Sequence, residues 1–139
     1  RLRRLTDVDH VRRDVVRRLV IDILDHRVEL INTVKRGGFS RVEAQLTGAS
    51  SLSYEDGHFD VVTALEVLEH MESPLAAVKE LIRVAIQYIL VSVPSKPDNN
   101  PEHIQLFSAD DLENLLLQGG AKSVQLHHVL NHRIALGKL

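Results

Sequence analysis

The sequence has no cysteine and no tryptophan. Disulfides, thiolate metal sites and cysteine nucleophiles are therefore excluded. Aromatic residues make up only 4%, which leaves little surface for stacking nucleobases. No apolar run approaches the length needed to span a bilayer, and no signal-peptide pattern is visible. A cytoplasmic location and no membrane partner are the expectations. The formal charge is −2 and the pI is near 6.5, so no global field draws the chain to nucleic acid. Glycine is missing from the whole stretch before Gly37. There is no internal repeat and no low-complexity linker.

What is present is enough for one core. Of 139 residues, 44% are apolar, and a chain of that size and composition folds as a single domain, 1–139. Charge is uneven within it. Residues 1–18 are dense in arginine, while Leu5, Val8, Val11, Val15 and Val16 recur at helical spacing. This reads as a basic amphipathic helix whose polar face is either solvated or set against phosphate or a partner. An α/β core fills 19–139.

Along that core, "LVIDILD" (Leu19–Asp25) reads as a strand. "HRVELINTVKRGG" reads as a helix stopped at Gly37–Gly38. "SRVEAQLTG" alternates as a strand ended by Gly48. "HFDVVTAL" and "YILVSVP" are continuous apolar runs, the pattern of buried parallel strands. Between them, Ser73 as N-cap and Pro74 in first position open a helix with a stripe of Leu75, Val78, Leu81, Ile82 and Ala85. Ser108 and Asp111 predict a capping box, and Gly119–Gly120 close that helix. Two last strands around Asn131–His132 predict an antiparallel hairpin. The alternation gives a Rossmann-like, mostly parallel sheet with helices on both faces and a C-terminal antiparallel hairpin.

Ligands of such sheets sit beyond the carboxyl ends of the strands. Glu66, Glu69 and His70 of "ALEVLEHMESP" follow one of these ends. On a helical turn they project to one side, and two carboxylates with an imidazole suit Mg²⁺, Mn²⁺ or Fe²⁺. His103, in the loop after "SVP", is the candidate fourth ligand. The alternative is a metal-free pocket, with Glu69 capping the next helix and His70 bonded to backbone. His127 and His128 point to opposite faces of a strand, so they do not form a second metal site with His132. The loop "SKPDNNPEH" has the place of a substrate lid, where Asn99, Asn100 and Glu102 could read a polar acceptor.

From about Asp25 onward the chain resembles a class I S-adenosylmethionine-dependent methyltransferase of the type 11 kind. The residues that carry the resemblance are "SLSYEDGHFDVVTALEVLEHMESP", "YILVSVP" and "EHIQLFSADDLENLLLQGGAKSV". The resemblance implies methyl transfer to an O or N atom of a small-molecule acceptor, with S-adenosyl-L-methionine as cofactor and Glu66, Glu69 and His70 as catalytic residues. Cofactor contacts would come from Asp25, or Asp22 if the register slips, as the ribose-binding acid at the end of the second strand. Ala49 and Ser50 would lie at the adenine, and Leu65 and Glu66 at the methionine end. The E-x-x-E-H pattern with a distant histidine is similar to the metal site of small-RNA 3′-terminal ribose 2′-O-methyltransferases, and to that of ubiquinone-pathway catechol O-methyltransferases. RNA is thus an alternative acceptor, with Glu66, Glu69, His70 and His103 as ligands to Mg or Mn.

One family feature is absent. The first strand and its Gly-rich turn, of the form GxGxG, have no counterpart in this reading, and one βα unit is missing. A segment between about Val16 and Ile21 is absent, or the chain is a truncated form, or it is a degenerate relative acting as a non-catalytic binding module.

Overall fold

In a computed structural model of the chain, residues 18–21, 36–38 and 48–139 are described. The basic helix expected over 1–18, most of the helix expected over 26–36 and the strand expected up to Gly48 lie outside them. Arg36 is helical, and Gly37–Gly38 turn the chain with Gly38 at φ 103°, the stop read from the sequence.

Among the described residues five strands form one sheet: β1 (Arg18–Ile21), β2 (Phe59–Leu65), β3 (Ala85–Pro94), β4 (Ser123–Val129) and β5 (His132–Lys138). Their order is β1-β2-β3-β5-β4. The first three run parallel; β5 lies antiparallel to both β3 and β4. The mostly parallel sheet with a terminal antiparallel hairpin is the architecture expected. Helices α1 (Pro74–Val84) and α2 (Ala109–Gly119) pack against each other and against the sheet. Val62, Ala64, Ile89, Val91, Val93 and Ala135 of the sheet meet Val78, Leu81, Val84, Leu112 and Leu116 of the helices, all fully buried. Each Val, Leu or Ile among them contributes roughly 1.5–3 kcal/mol of hydrophobic stabilisation.

Local chemistry sets the helix ends. Pro74 occupies the first turn, where its missing N–H costs nothing. The Ser73 side chain makes no cap bond, contrary to expectation; its carbonyl accepts from Ala76 and Ala77 N–H instead. The Ser108–Asp111 capping box forms in both directions, at 3.1 Å each way. At the end of α2, a Cβ on Gly119 would run into Val78 of α1, so glycine there lets the two helices meet. Helix α1 passes into β3 between Val84 and Ala85 with no linker, so Ala85, read as helical, is the first strand residue. The hairpin turns on Leu130–Asn131 rather than Asn131–His132: Leu130 takes φ 54°, and His132 already pairs with Val129.

The strand at 18–21 corrects the strand assignment. It runs beside β2 with Ile21 opposite Ala64. In a doubly wound sheet the first strand lies next to the fourth, and β2 holds the fourth position. Arg18–Ile21 therefore fills the first-strand slot, and no central gap exists. The strand is not the second one, which removes the ground for reading Asp25 as the second-strand ribose acid. Asp25 lies outside the described residues. In sequence, "DILD" (22–25) stands where the Gly-rich turn was sought.

Candidate active site

Beyond the carboxyl end of β2 the chain turns sharply. Glu66 takes φ 56°, a left-handed conformation uncommon for a residue with a side chain. Ser92 of β3 holds it twice. The Glu66 N–H donates to the Ser92 carbonyl at 3.0 Å, and the Ser92 hydroxyl donates to Glu66 Oε1 at 2.7 Å. Glu66 Oε2 faces His132 Nε2 of β5 at 3.5 Å.

Three residues later the environment reverses. Leu68–His70 form one 3-10 turn, with Leu68 and Glu69 buried. Neither carboxylate oxygen of Glu69 meets a hydrogen-bond donor among the described residues. Burial raises the Glu69 pKa to about 7, and the nearby Glu66 and Asp98 carboxylates push the same way. Its neighbours are two imidazoles. His70 Nε2 lies 3.7 Å and His103 Nε2 4.0 Å from Glu69 Oε1. The rings meet edge to face, with centroids 4.7 Å apart.

The other ring nitrogens set the tautomers. His70 Nδ1 lies 3.0 Å from the Glu102 carbonyl, an acceptor only. His103 Nδ1 lies 2.9 Å from Asp98 Oδ2. In the neutral form of each ring Nδ1 therefore carries the proton, and the Nε2 lone pair turns toward Glu69. When Glu69 is ionised, two lone pairs and a carboxylate oxygen converge with no donor between them, and the three ligand atoms lie within 4.8 Å of one another. Glu69, His70 and His103 are so grouped that they could hold a cation, and the far ring nitrogens meet a carbonyl and a carboxylate, partners of the kind that orient histidine ligands. Of the four ligands expected, Glu69, His70 and His103 come together; Glu66 is turned away to Ser92 and His132.

His103 reaches the group from the loop between β3 and α2. Arg133 Nη1 donates to Ser95 O at 3.0 Å and Phe107 O at 2.9 Å, fastening both ends of that loop. Ile104 N–H donates to the Glu69 carbonyl at 3.0 Å, and the Gln105 amide donates to the carbonyls of Leu68 and Met71. A cavity of about 270 Å³ opens beside it, lined by Pro94, Lys96, Asp98, His103, Ile104 and Leu106. Asn100 caps its own turn by accepting from Glu102 N–H. Sequence reasoning missed Ser92, Asp98 and Arg133. Only the last carried a signal, as a cation directly before the apolar run Ile134–Leu136.

On the other side of β2, Ala49 is buried and Ser50 exposed in a turn closed by Ser51 N–H to Gly48 O at 3.0 Å. Helix α1 steadies this turn. Glu80 Oε1 accepts from Leu52 N–H at 2.8 Å, and Arg83 Nη2 donates to Leu52 O at 3.1 Å. The bond from Arg83 holds the Glu80 carboxyl below the usual carboxylate range.

A parallel sheet with a crevice at its carboxyl ends and a reversed C-terminal hairpin is the class I methyltransferase fold. The family model described as a methyltransferase domain matches residues 8–87, and the chain belongs to that family, the S-adenosylmethionine-dependent methyltransferases. A probable S-adenosylmethionine-dependent methyltransferase of Mycobacterium tuberculosis is 30% identical over 101 residues, covering 66% of this chain and 37% of the relative. The chain thus spans little more than a third of that relative's length. Among solved structures, the YcgJ protein of Bacillus subtilis superposes with a TM-score of 0.67 at 21% identity, over 80% of this chain and 54% of its own. An S-adenosylmethionine-dependent methyltransferase of Thermotoga maritima, named as a possible histamine N-methyltransferase, gives a TM-score of 0.65 at 16% identity, over 94% of this chain and 86% of its own. Likeness at these identities is likeness of fold.

The family cofactor carries positive charge on its sulfonium and its ammonium. At the carboxyl end of β2, Leu65 is 39% exposed and the Glu66 side chain 36% exposed, an apolar surface and a carboxylate of the kind that such groups can meet. The residues present fit S-adenosylmethionine. Among the described residues, no helix is long and apolar enough to cross a membrane.

Proposed function

We propose that the chain is a methyltransferase that moves the methyl group of S-adenosylmethionine to an O or N atom of a small-molecule acceptor. The observation that carries this is the left-handed Glu66, doubly held by Ser92 just beyond the carboxyl end of β2, the strand that runs parallel between β1 and β3. Strain at such a point is retained where a site needs it. The cofactor supplies an activated methyl group. The chain's own residues supply placement: Leu65 and Glu66 at the methionine end, the Ala49–Ser50 turn at the adenine, and the His103 loop over the acceptor. In-line displacement needs no covalent nucleophile, only proximity and charge. Calorimetric titration of the full chain with S-adenosylmethionine tests this. Saturable binding supports the reading, and the absence of heat of binding sinks it.

A second reading is favoured by the unpartnered, buried Glu69. Glu69, His70 and His103 would hold one divalent ion, which would bind and acidify an acceptor hydroxyl. Imidazole ligands favour Mn²⁺ or Fe²⁺ over Mg²⁺. A vicinal diol, including the terminal ribose of an RNA, is the acceptor such an ion would grip. Titration with Mn²⁺ should give one site per chain that Glu69→Gln removes; no Mn²⁺ binding by the unaltered chain would leave the metal-free reading alone.

A further inference from the structure

Methyl transfer to a hydroxyl or amine releases a proton, and the cluster around Glu69 is turned inward on a fully buried carboxylate. Both Nδ1 atoms there are already bonded, and both Nε2 lone pairs face the buried carboxylate. A second imidazole at the carboxyl end of the sheet is arranged differently. His132 opens β5 directly opposite Pro94, a wall of the cavity beside the loop. Its Nε2 faces Glu66 Oε2 at 3.5 Å, and its side chain is 47% exposed. Glu66 is not free to turn away, because Ser92 binds it through both its backbone N–H and its other carboxylate oxygen. A fixed carboxylate beside one ring nitrogen draws the proton to that nitrogen and leaves the other bare.

We propose that His132 and Glu66 form an acid–base dyad in which His132 is the catalytic residue that receives the acceptor's proton and Glu66 is the residue that positions it. The inference rests on the methyl-transfer reading. As the acceptor O or N forms its bond to the methyl carbon, the carbon–sulfur bond breaks and its electron pair stays on sulfur, giving S-adenosylhomocysteine. The acceptor's proton passes to His132 Nδ1. The imidazolium that results is balanced by the Glu66 carboxylate, and solvent takes the proton from the half-exposed ring afterwards. This explains why Glu66 holds a conformation that favours glycine: with Ser92 gripping both its backbone and one oxygen, the other oxygen is left for the histidine. It also gives the Glu66 of the "EVLEH" run a task separate from that of Glu69 and His70.

The test uses the full chain, Glu66→Gln and His132→Ala. Long-range proton–nitrogen spectra of the imidazoles should show neutral His132 protonated at Nε2 in the unaltered chain, and a mixture of tautomers in Glu66→Gln. Turnover of S-adenosylmethionine with phenol, catechol and benzylamine as probe acceptors should fall about a hundredfold in His132→Ala, with S-adenosylmethionine affinity within twofold of the unaltered chain and partial recovery in added imidazole. Neutral His132 protonated at Nδ1, tautomers unchanged by Glu66→Gln, or full turnover by His132→Ala would each overturn the dyad. An unaltered chain that binds no S-adenosylmethionine sinks the methyl-transfer reading instead, and the spectra still decide whether Glu66 sets the His132 tautomer.

Discussion

The Ile104 N–H donates to the Glu69 carbonyl across 3.0 Å, so the loop that carries His103 is tied to the turn that carries Glu69 through backbone alone. Side chains at either position can be changed without cutting that tie. This makes Glu69→Gln a clean probe of the buried charge.

The glutamine variant should be more stable than the unaltered chain at neutral pH in the presence of EDTA. The pKa of Glu69 rises from 4.5 to about 7 on burial. Below the lower value both folded and unfolded chains hold the proton, and there is no effect. Between the two values the unfolded chain has released it while the folded chain keeps it, so stability falls as pH rises; above the upper value the penalty is constant. Urea unfolding at about pH 5 and about pH 8 should show a stability gain for the variant that is larger at the higher pH. An equal gain at both would mean that the folded carboxyl is not held protonated.

Arg133→Met should loosen the loop at both ends. It removes two hydrogen bonds from a charged donor to the Ser95 and Phe107 carbonyls, a loss of about 2 kcal/mol. The midpoint of urea unfolding should fall accordingly, and the first proteolytic cuts should come between residues 96 and 106. Unchanged resistance to protease would show that Ile104 and Gln105 suffice to hold the loop.

Glu80→Gln should free the Leu52 backbone. The carboxylate both accepts from Leu52 N–H and anchors Arg83, which grips Leu52 O and Asp56. Faster amide exchange at Leu52 is expected, with weaker binding of S-adenosylmethionine if the Ala49–Ser50 turn meets the adenine. Faster exchange with unchanged affinity would place the adenine elsewhere.

Gly119→Ala should destabilise the domain by about 1–3 kcal/mol through overpacking, because the new methyl would strike Val78 and lie 3.2 Å from Ile82 Cδ1. Combining it with Val78→Ala should recover part of that loss. Additive losses in the double variant would point to backbone strain at Gly119 rather than collision.

Much of this was legible in the residues, and the misses have physical causes. The β2 and β3 strands showed as apolar runs because they pair at the middle of the sheet and put Val62, Ala64, Ile89, Val91 and Val93 into the core. The α2 box showed because Ser108 and Asp111 bond each other locally. The place of β1 did not show, since strand order is set by pairing between distant segments, and a four-residue apolar run carries no address. Glu66, Glu69 and His70 look equivalent in sequence, yet the left-handed turn at Glu66 sends its side chain toward β3 and β5 while the next turn buries Glu69. The anchor Asp98 and the partner Ser92 were silent because their roles depend on contacts across the sheet rather than on spacing.

The alternation of β3 limits where the chain can change length. Side chains alternate along β3, with Ile89, Val91 and Val93 in the core and Leu90 and Ser92 on the other face. One residue gained or lost past the register shift that precedes Tyr88 would turn every one of them to the wrong face, taking Ser92 away from Glu66 together with the core. Changes of length in the loop after Pro94 leave that alternation intact; within Tyr88–Val93 they would not.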